Sequence, residues 1–362
     1  MSATPVVAGT PVAGVVARRG TAAWITFGAP LAAVALALGV GALFILAIGE
    51  HPLEIYALML RESLGTGYGI GQTLFKATPL VFTGLAVALG FRAGLFNIGV
   101  EGQLYLGGFA AALAGISMSG APAFLLLPAA LAAAALAGGV WGAIPGVLKA
   151  RFGAHEVINT IMLNFIAVAL VSYAGHSLFE HATVRTAEIA PAAALPRLDI
   201  LFPALRGSPA NLSLLVAAIL AVAVGVLLFR TRLGYELRAV GLNAPAAEYG
   251  GISIGRTQIV AMTLSGAVAG LGGVNFVLGY KHWFELGFSG GSGYLGIAVA
   301  LLGRNHPVGV LIAALFFGAL SYGGLVINQR VPRELVEVLQ ALVILLTIGA
   351  QQVFERIARK HG

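Results

Sequence analysis

An all-α, polytopic membrane fold is what this chain predicts, on three observations. It is 59% hydrophobic and 10% charged over 362 residues, whereas soluble domains carry about 25% charged residues. Its mean hydropathy is +0.93, and the apolar runs reach the ~18 residues that a membrane helix needs, without the alternating ten-residue pattern of barrel strands. Fifty glycines suit helices that pack through small residues, because lipid supplies no hydrophobic drive between them.

The elements follow in order. Residues 1–22, rich in Ala, Pro, Val, Gly and Thr and ending near Arg18-Arg19, read as a disordered cytoplasmic tail. Residues 23–355 read as a single membrane domain. The run 24–48 is too long for a signal-peptide core and stays as the first span. An amphipathic stretch at 50–70 is expected to lie at the outer surface. Spans are expected at about 72–90 and 94–116, the latter broken near 90–103, and at 122–148, where Gly138, Gly142 and Gly146 form a four-residue packing repeat. Further spans fall at 156–175, 211–229, 257–279, 293–303, 307–327 and 334–353. About ten crossings put both termini inside, with 176–210 as an extracytoplasmic loop, 231–256 as a cytoplasmic segment and 356–362 as a basic cytoplasmic tail.

Several functions are excluded early. The 21 basic residues are scattered and not interleaved with aromatics, so nucleic acid is not a partner; positive-inside bias accounts for the excess. With no cysteine there is no thiolate metal site and no reading of redox compartment. No HExxH-type pair occurs, and no lysine follows a glycine, so the P-loop Gly-Lys-Ser/Thr is missing. No catalytic residue, metal site or cofactor is assigned to this chain; if ATP drives it, another chain binds the nucleotide.

The polar residues inside apolar runs carry the functional signal, because charge at bilayer depth costs at least ~2.5–3.5 kcal/mol and normally faces a bundle interior or a watery path. Between Arg92 and Tyr105 stand Phe96, Asn97, Glu101 and Gln103. Asn97, Glu101 and Tyr105 recur at i, i+4, i+8 and are expected to share one helix face. Arg92 or helix-terminus amides are the two candidates for offsetting the Glu101 charge. Asn159, Asn164 and Phe165 lie on the fifth span. On the seventh, Gln258, Met262, Ser265, Ala269, Gly272 and Asn275, followed by Phe276, make a small polar stripe. Each asparagine could equally be interhelical glue. In 231–256, Asn243-Ala-Pro245 suggests an N-cap for a short helix 246–249 closed by Gly250-Gly251; it could dock into a partner's groove or lie on lipid.

Three segments carry a resemblance: Phe-Asn-Ile-Gly-Val-Glu-Gly-Gln (96–103), Glu-Val-Ile-Asn-Thr-Ile-Met-Leu-Asn-Phe (156–165) and Arg-Ala-Val-Gly-Leu-Asn-Ala-Pro-Ala-Ala-Glu-Tyr-Gly-Gly-Ile (238–252). They resemble bacterial ABC-importer permeases of the type serving ribose-like sugars, nucleosides and branched-chain amino acids. The segments 90–95 and 76–80 and the long outer loop are most similar to the larger permease of nucleoside-type (simple sugar) systems. The resemblance implies a multi-pass protein of the bacterial inner membrane, a second, shorter permease as partner, an ABC ATPase subunit holding ATP-Mg, and an extracytoplasmic substrate-binding lipoprotein. It implies ATPase docking through Glu236, Arg238, Asn243, Ala246, Ala247, Glu248, Tyr249 and Gly250. The residues' own chemistry, clustered polar groups and nearby rings, puts the candidate substrate path at Phe96, Asn97, Glu101, Gln103, Tyr105, Asn159, Asn164, Phe165, Asn275 and Phe276. The rival is a proton-coupled secondary transporter with Glu101 as proton site.

Overall fold

The structure is a computed structural model that describes residues 19–346 and 349, apart from 333. Residues 1–18 of the expected N-terminal tail and the basic tail 356–362 lie outside the described residues, while 19–22 belong to the first helix.

The chain is all-helical, with isolated β-bridges and no sheet among the described residues. In order the helices are α1 (Arg19–Ala47), α2 (Pro52–Leu64), α3 (Gly67–Arg92), α4 (Val100–Ser117), α5 (Ala123–Phe152), α6 (Glu156–Leu178), α7 (Ser213–Arg230), α8 (Arg232–Leu242), α9 (Ala244–Tyr249), α10 (Ile254–Leu271), the short turn α11 (Val274–Phe276), α12 (Ser292–Leu302) and α13 (Pro307–Val326). Residues 334–346 are helical as well. A π-helical turn, Val277–Lys281, extends α11.

Six helices among the described residues are long and apolar enough to cross a membrane, or seven if α1 and α2, bent by 116°, count as one span. The expected tally of about ten is larger. The difference lies at α4, whose 18 residues include Glu101 and Gln103, at the 11-residue α12, and at 334–353, which runs past the described residues.

α3 is the central helix: 83% of its membrane window is buried, against 22% for α6 and 28% for α5 and α7. A helix apolar on all sides belongs inside, and α3 carries Phe82, Leu85 and Leu89 into the main core. α5 and α10 approach closely through the glycine repeat read from the sequence. A methyl group on Gly142 or Gly270 would fall against the backbone of the facing helix, at Met262 or Ala134 respectively. Backbone contact of this kind is how membrane helices gain dispersion energy where burial from water gives none.

The loop 179–212 is ordered. Its Thr186 and Ile189 amides donate to the Phe284 and His282 carbonyls at 2.9 and 2.8 Å, and the Leu286 amide donates to Val184 at 3.0 Å. It therefore covers the chain that leaves the π-turn.

Candidate functional site

The break in the polar segment has a local cause. After α3, Gly94 adopts φ +72°, and the amides of Gly94 and Leu95 donate back to Phe91 and Gly90 at 3.1 and 2.9 Å. This paired return of amides around a left-handed glycine terminates a helix. Residues 93–99 are then non-helical, and they leave exposed backbone groups that must be satisfied internally.

Side chains from three helices do so. Asn97 Oδ1 accepts from the Gly99 amide at 3.0 Å and from Gln103 Nε2 at 3.2 Å, while its Nδ2 donates to Gln103 Oε1 and to Ser265 Oγ, both at 2.9 Å. The Ser265 hydroxyl in turn donates a hydrogen bond to the Ala86 carbonyl at 2.6 Å. From α6, Asn164 Oδ1 accepts from the Gly102 amide at 2.9 Å and Nδ2 donates to the Ile98 carbonyl at 3.0 Å; Thr160 Oγ1 accepts from the Ile98 amide at 3.3 Å. Asn97, Gln103, Asn164 and Ser265 are all buried. Asn97 thus precedes α4 and does not share its face, a correction to the i, i+4, i+8 expectation; Glu101 and Tyr105 alone keep that spacing on the helix.

Glu101 is buried and faces protein. One carboxylate oxygen accepts from the Ser289 hydroxyl and the other from the Gly293 amide at 2.7 Å. Gly293 lies in the first turn of α12, and Glu101 sits in the first turn of α4. One carboxylate therefore serves two helix N-termini, each with a partial positive charge. The alternative that Arg92 offsets it is overturned: Arg92 Nε donates to the Asn305 carbonyl at 2.9 Å and its guanidinium lies 5.6 Å from the Phe229 ring.

The loop held by Glu101 forms one wall of a cleft of about 430 Å³. That wall supplies Phe288, Ser289, Gly290 and Ser292; Lys76 and Pro79 of α3, Phe276, Ser321 of α13, Glu337 and Gln340 are among the other lining residues, with aliphatic side chains such as Leu80, Leu325 and Ile344 between them. Phe276 and Phe288 meet edge to face at 5.4 Å. An aromatic surface with a few convergent polar groups in this size range is the usual form of a small-molecule site.

Of the expected path residues, Phe276 lines the cleft. Glu101 stands directly behind it, and Tyr105 stacks on Phe288 at 5.4 Å. Asn97, Gln103 and Asn164 tie helices together one layer deeper. Asn275 is buried against Asn211, Ser213 and the Phe75 carbonyl. Phe96 stacks on Phe91 at 5.0 Å, and Asn159 keeps a buried amide nitrogen with no hydrogen-bond partner. Phe165 is 66% exposed and faces outward; it is not brought to the others. The sequence reading missed Phe288, Ser289, Ser292 and Gln340. The glycine cluster Gly287–Gly293 was the available signal, since Gly287, Gly290 and Gly291 all adopt positive φ.

The second candidate region is 231–252. Asn243 caps α9 by accepting from the Ala246 amide at 3.1 Å, with Pro245 in the first turn; this extends the expected 246–249 helix by two residues. α8, unforeseen, buries Leu237 and Val240. Arg238 donates to the Gly234 carbonyl at 3.3 Å, and Glu236 pairs with Arg232 at 2.9 Å. α8 and α9 enclose a groove of about 620 Å³ lined by Glu236, Arg238, Asn243, Ala246, Ala247 and Gly250 among others. Glu248 is exposed, as is Tyr249 at 97%, and Leu242 at 88%. α8 itself touches the interior break: a methyl on Gly241 would fall on the Arg92 carbonyl and 2.8 Å from the Gly94 nitrogen.

Opposite in sequence, Lys281, Trp283 and Glu285 cluster under the ordered loop. Burial pushes the Glu285 carboxyl up, but hydrogen bonds from Lys281 and Trp283 and the charges of Lys281 and Arg185 outweigh it and hold it below its ordinary value.

Comparison with known proteins agrees with this architecture. Residues 69–348 match the family described as branched-chain amino acid transport system / permease component. The chain is 42% identical to the guanosine ABC transporter permease protein NupP of Bacillus subtilis, over 89% of this chain and 92% of that protein. It is 39% identical to the glucose ABC transporter permease protein TsgB13 of Haloferax volcanii, over 92% and 90%. It is 37% identical to the nucleoside ABC transporter permease protein NupB of Lactococcus lactis, over 87% and 88%. No solved structure matches the chain. With a match over most of its length and buried polar segments where the family resemblance was read, the chain belongs to the permease-component family of branched-chain amino acid-type transport systems and is a multi-pass membrane permease of the ABC importer class.

Proposed function

We propose that this chain is the larger permease of an ATP-driven importer of nucleosides or related purines. The carrying observation is its 42% and 37% identity to guanosine and nucleoside permeases across most of the chain. The cleft chemistry agrees: the Phe276 and Phe288 rings can pack against a planar base, while Ser289, Ser292, Ser321 and Gln340 offer hydrogen bonds to ring edges and hydroxyls. The cleft is this subunit's share of the path. A second, shorter permease supplies the facing half, and a substrate-binding lipoprotein delivers cargo at the outer face of the bacterial inner membrane.

An ABC ATPase holding ATP-Mg docks on the α8–α9 groove, and this chain itself hydrolyses nothing. The exposure of Tyr249 and Leu242 favours docking, because an isolated apolar tip gains from a partner's pocket. Both termini are cytoplasmic, on the same side as α8 and α9. The proton-coupled alternative is disfavoured because both Glu101 oxygens are already engaged within the protein, by the Ser289 hydroxyl and the Gly293 amide.

The test is uptake of labelled guanosine, adenosine, ribose and glucose by cells expressing the whole operon, each competed by the others. Nucleoside uptake that excess sugar leaves unchanged is expected. Sugar uptake indifferent to excess nucleoside would remove the substrate assignment, uptake with this permease alone would remove the heterodimer, and ATP turnover by the purified chain would remove the assignment of hydrolysis to a partner.

A further inference from the structure

We infer that Glu101 and Tyr105 are positioning residues that set the shape of the glycine-rich cleft wall; this rests on the reading of the cleft as the path. The loop Gly287–Gly293 takes positive φ at Gly287, Gly290 and Gly291, so its backbone has little intrinsic preference and needs external fixing. α4 provides that fixing at both ends with residues one turn apart. Tyr105 Oη accepts from the Gly287 amide at 2.7 Å, and its ring stacks on Phe288 at 5.4 Å. Glu101 holds the far end through Ser289 and Gly293. A methyl on Gly293 would come within 2.5 Å of the Glu101 backbone, so α12 starts directly on α4.

Thr83 of α3 adds a third hold, donating to the Ser292 carbonyl at 3.1 Å. The cleft-facing groups Phe288, Ser289 and Ser292 all lie within this clamped stretch. α4 itself begins at the break against which Gly241 of α8 packs. A displacement of α8 therefore reaches the cleft wall through α4 and these two side chains.

The chain has no cysteine, which makes single-cysteine reporters clean. Leu295→Cys reports on the α12 wall and Leu325→Cys on α13 across the cleft. The assembled transporter in vesicles is treated with a small cationic methanethiosulfonate, in the parent, Glu101→Gln and Tyr105→Phe backgrounds. Each variant keeps the side-chain shape and removes one hold. The expected result is a change of about tenfold in the labelling rate at position 295, the equivalent of about one lost hydrogen bond, with position 325 unchanged. Leu295→Cys that reacts at one rate, or not at all, in all three backgrounds overturns the clamp. Equal changes at both positions overturn it too, since they indicate general loosening. If Glu101→Gln does not assemble, Tyr105→Phe decides alone. Guanosine with its binding protein should slow labelling at both positions; failure of that protection counts against the path and leaves the clamp result standing.

Discussion

Two asparagines do the same local job in two very different places. Asn97 Oδ1 accepts from the Gly99 amide at 3.0 Å in the interior, and Asn243 Oδ1 accepts from the Ala246 amide at 3.1 Å on the α8–α9 groove. Each follows a helix break in a segment that resembles family motifs, but Asn243 is the N-cap of α9 whereas Asn97 ties the turn that leads to Gly99, the N-cap of α4. Yet Asn97 is fully buried and uses both ends of its amide in four hydrogen bonds to three residues, whereas Asn243 is exposed and water can replace its bond. The same kind of side-chain-to-amide bond is a keystone where no solvent can substitute and a modest helix signal where solvent can. Breaks at membrane depth therefore need dedicated side chains from neighbouring helices, and breaks at the surface need one residue.

Substitutions at three positions would break or sharpen this contrast. Asn97→Leu should have the largest effect. It strands the Gly99 amide and the Gln103 side-chain amide, and each buried unsatisfied group costs about 1–3 kcal/mol. Little of the variant should reach the membrane in folded form, measured by detergent-solubilised yield and thermal midpoint. Near-normal yield would show that water reaches the break and that burial is not what distinguishes the two regions.

Gly241→Val tests the place where the regions touch. Its side chain would collide with the Arg92 carbonyl, and overpacking costs about 1–3 kcal/mol. The expected outcome is a lowered thermal midpoint together with uptake reduced further than the protein level explains. Uptake falling only in proportion to protein level would separate α8 from the interior.

Asn243→Ala should cost less than either, about 0.5–2 kcal/mol and confined to α9, with normal protein in the membrane. Its expected readout is weaker ATPase binding by the solubilised permease. Asn243→Gly should lose only a few tenths of a kcal/mol and retain binding. Should the Gly and Ala variants behave alike, the cap is not what presents the groove.

Much of the fold was legible. The glycine repeat 138–142–146 is the α5 side of the α5–α10 contact, because four-residue spacing of small residues has a direct helical meaning. The position of the break was legible from Gly94 and the polar cluster, and the α9 cap from Asn243-Ala-Pro245. The site was legible as a neighbourhood and not as a surface. Asn97, Gln103 and Asn164 were read as candidate path residues and lie one layer behind the cleft. A polar residue in an apolar run announces a buried partner but not whether that partner is substrate or backbone.

By itself, then, the sequence determined that this is an all-helical membrane permease, where its helix is interrupted, and which residues must be satisfied away from lipid, since these follow from hydropathy, local capping and the cost of buried charge. The tertiary structure decided which partners satisfy them. Ser289 and Gly293 lie 188 and 192 residues from Glu101, Ser265 lies 168 residues from Asn97, and no local periodicity specifies pairings that arise only when helices from distant parts of the chain pack at backbone contact.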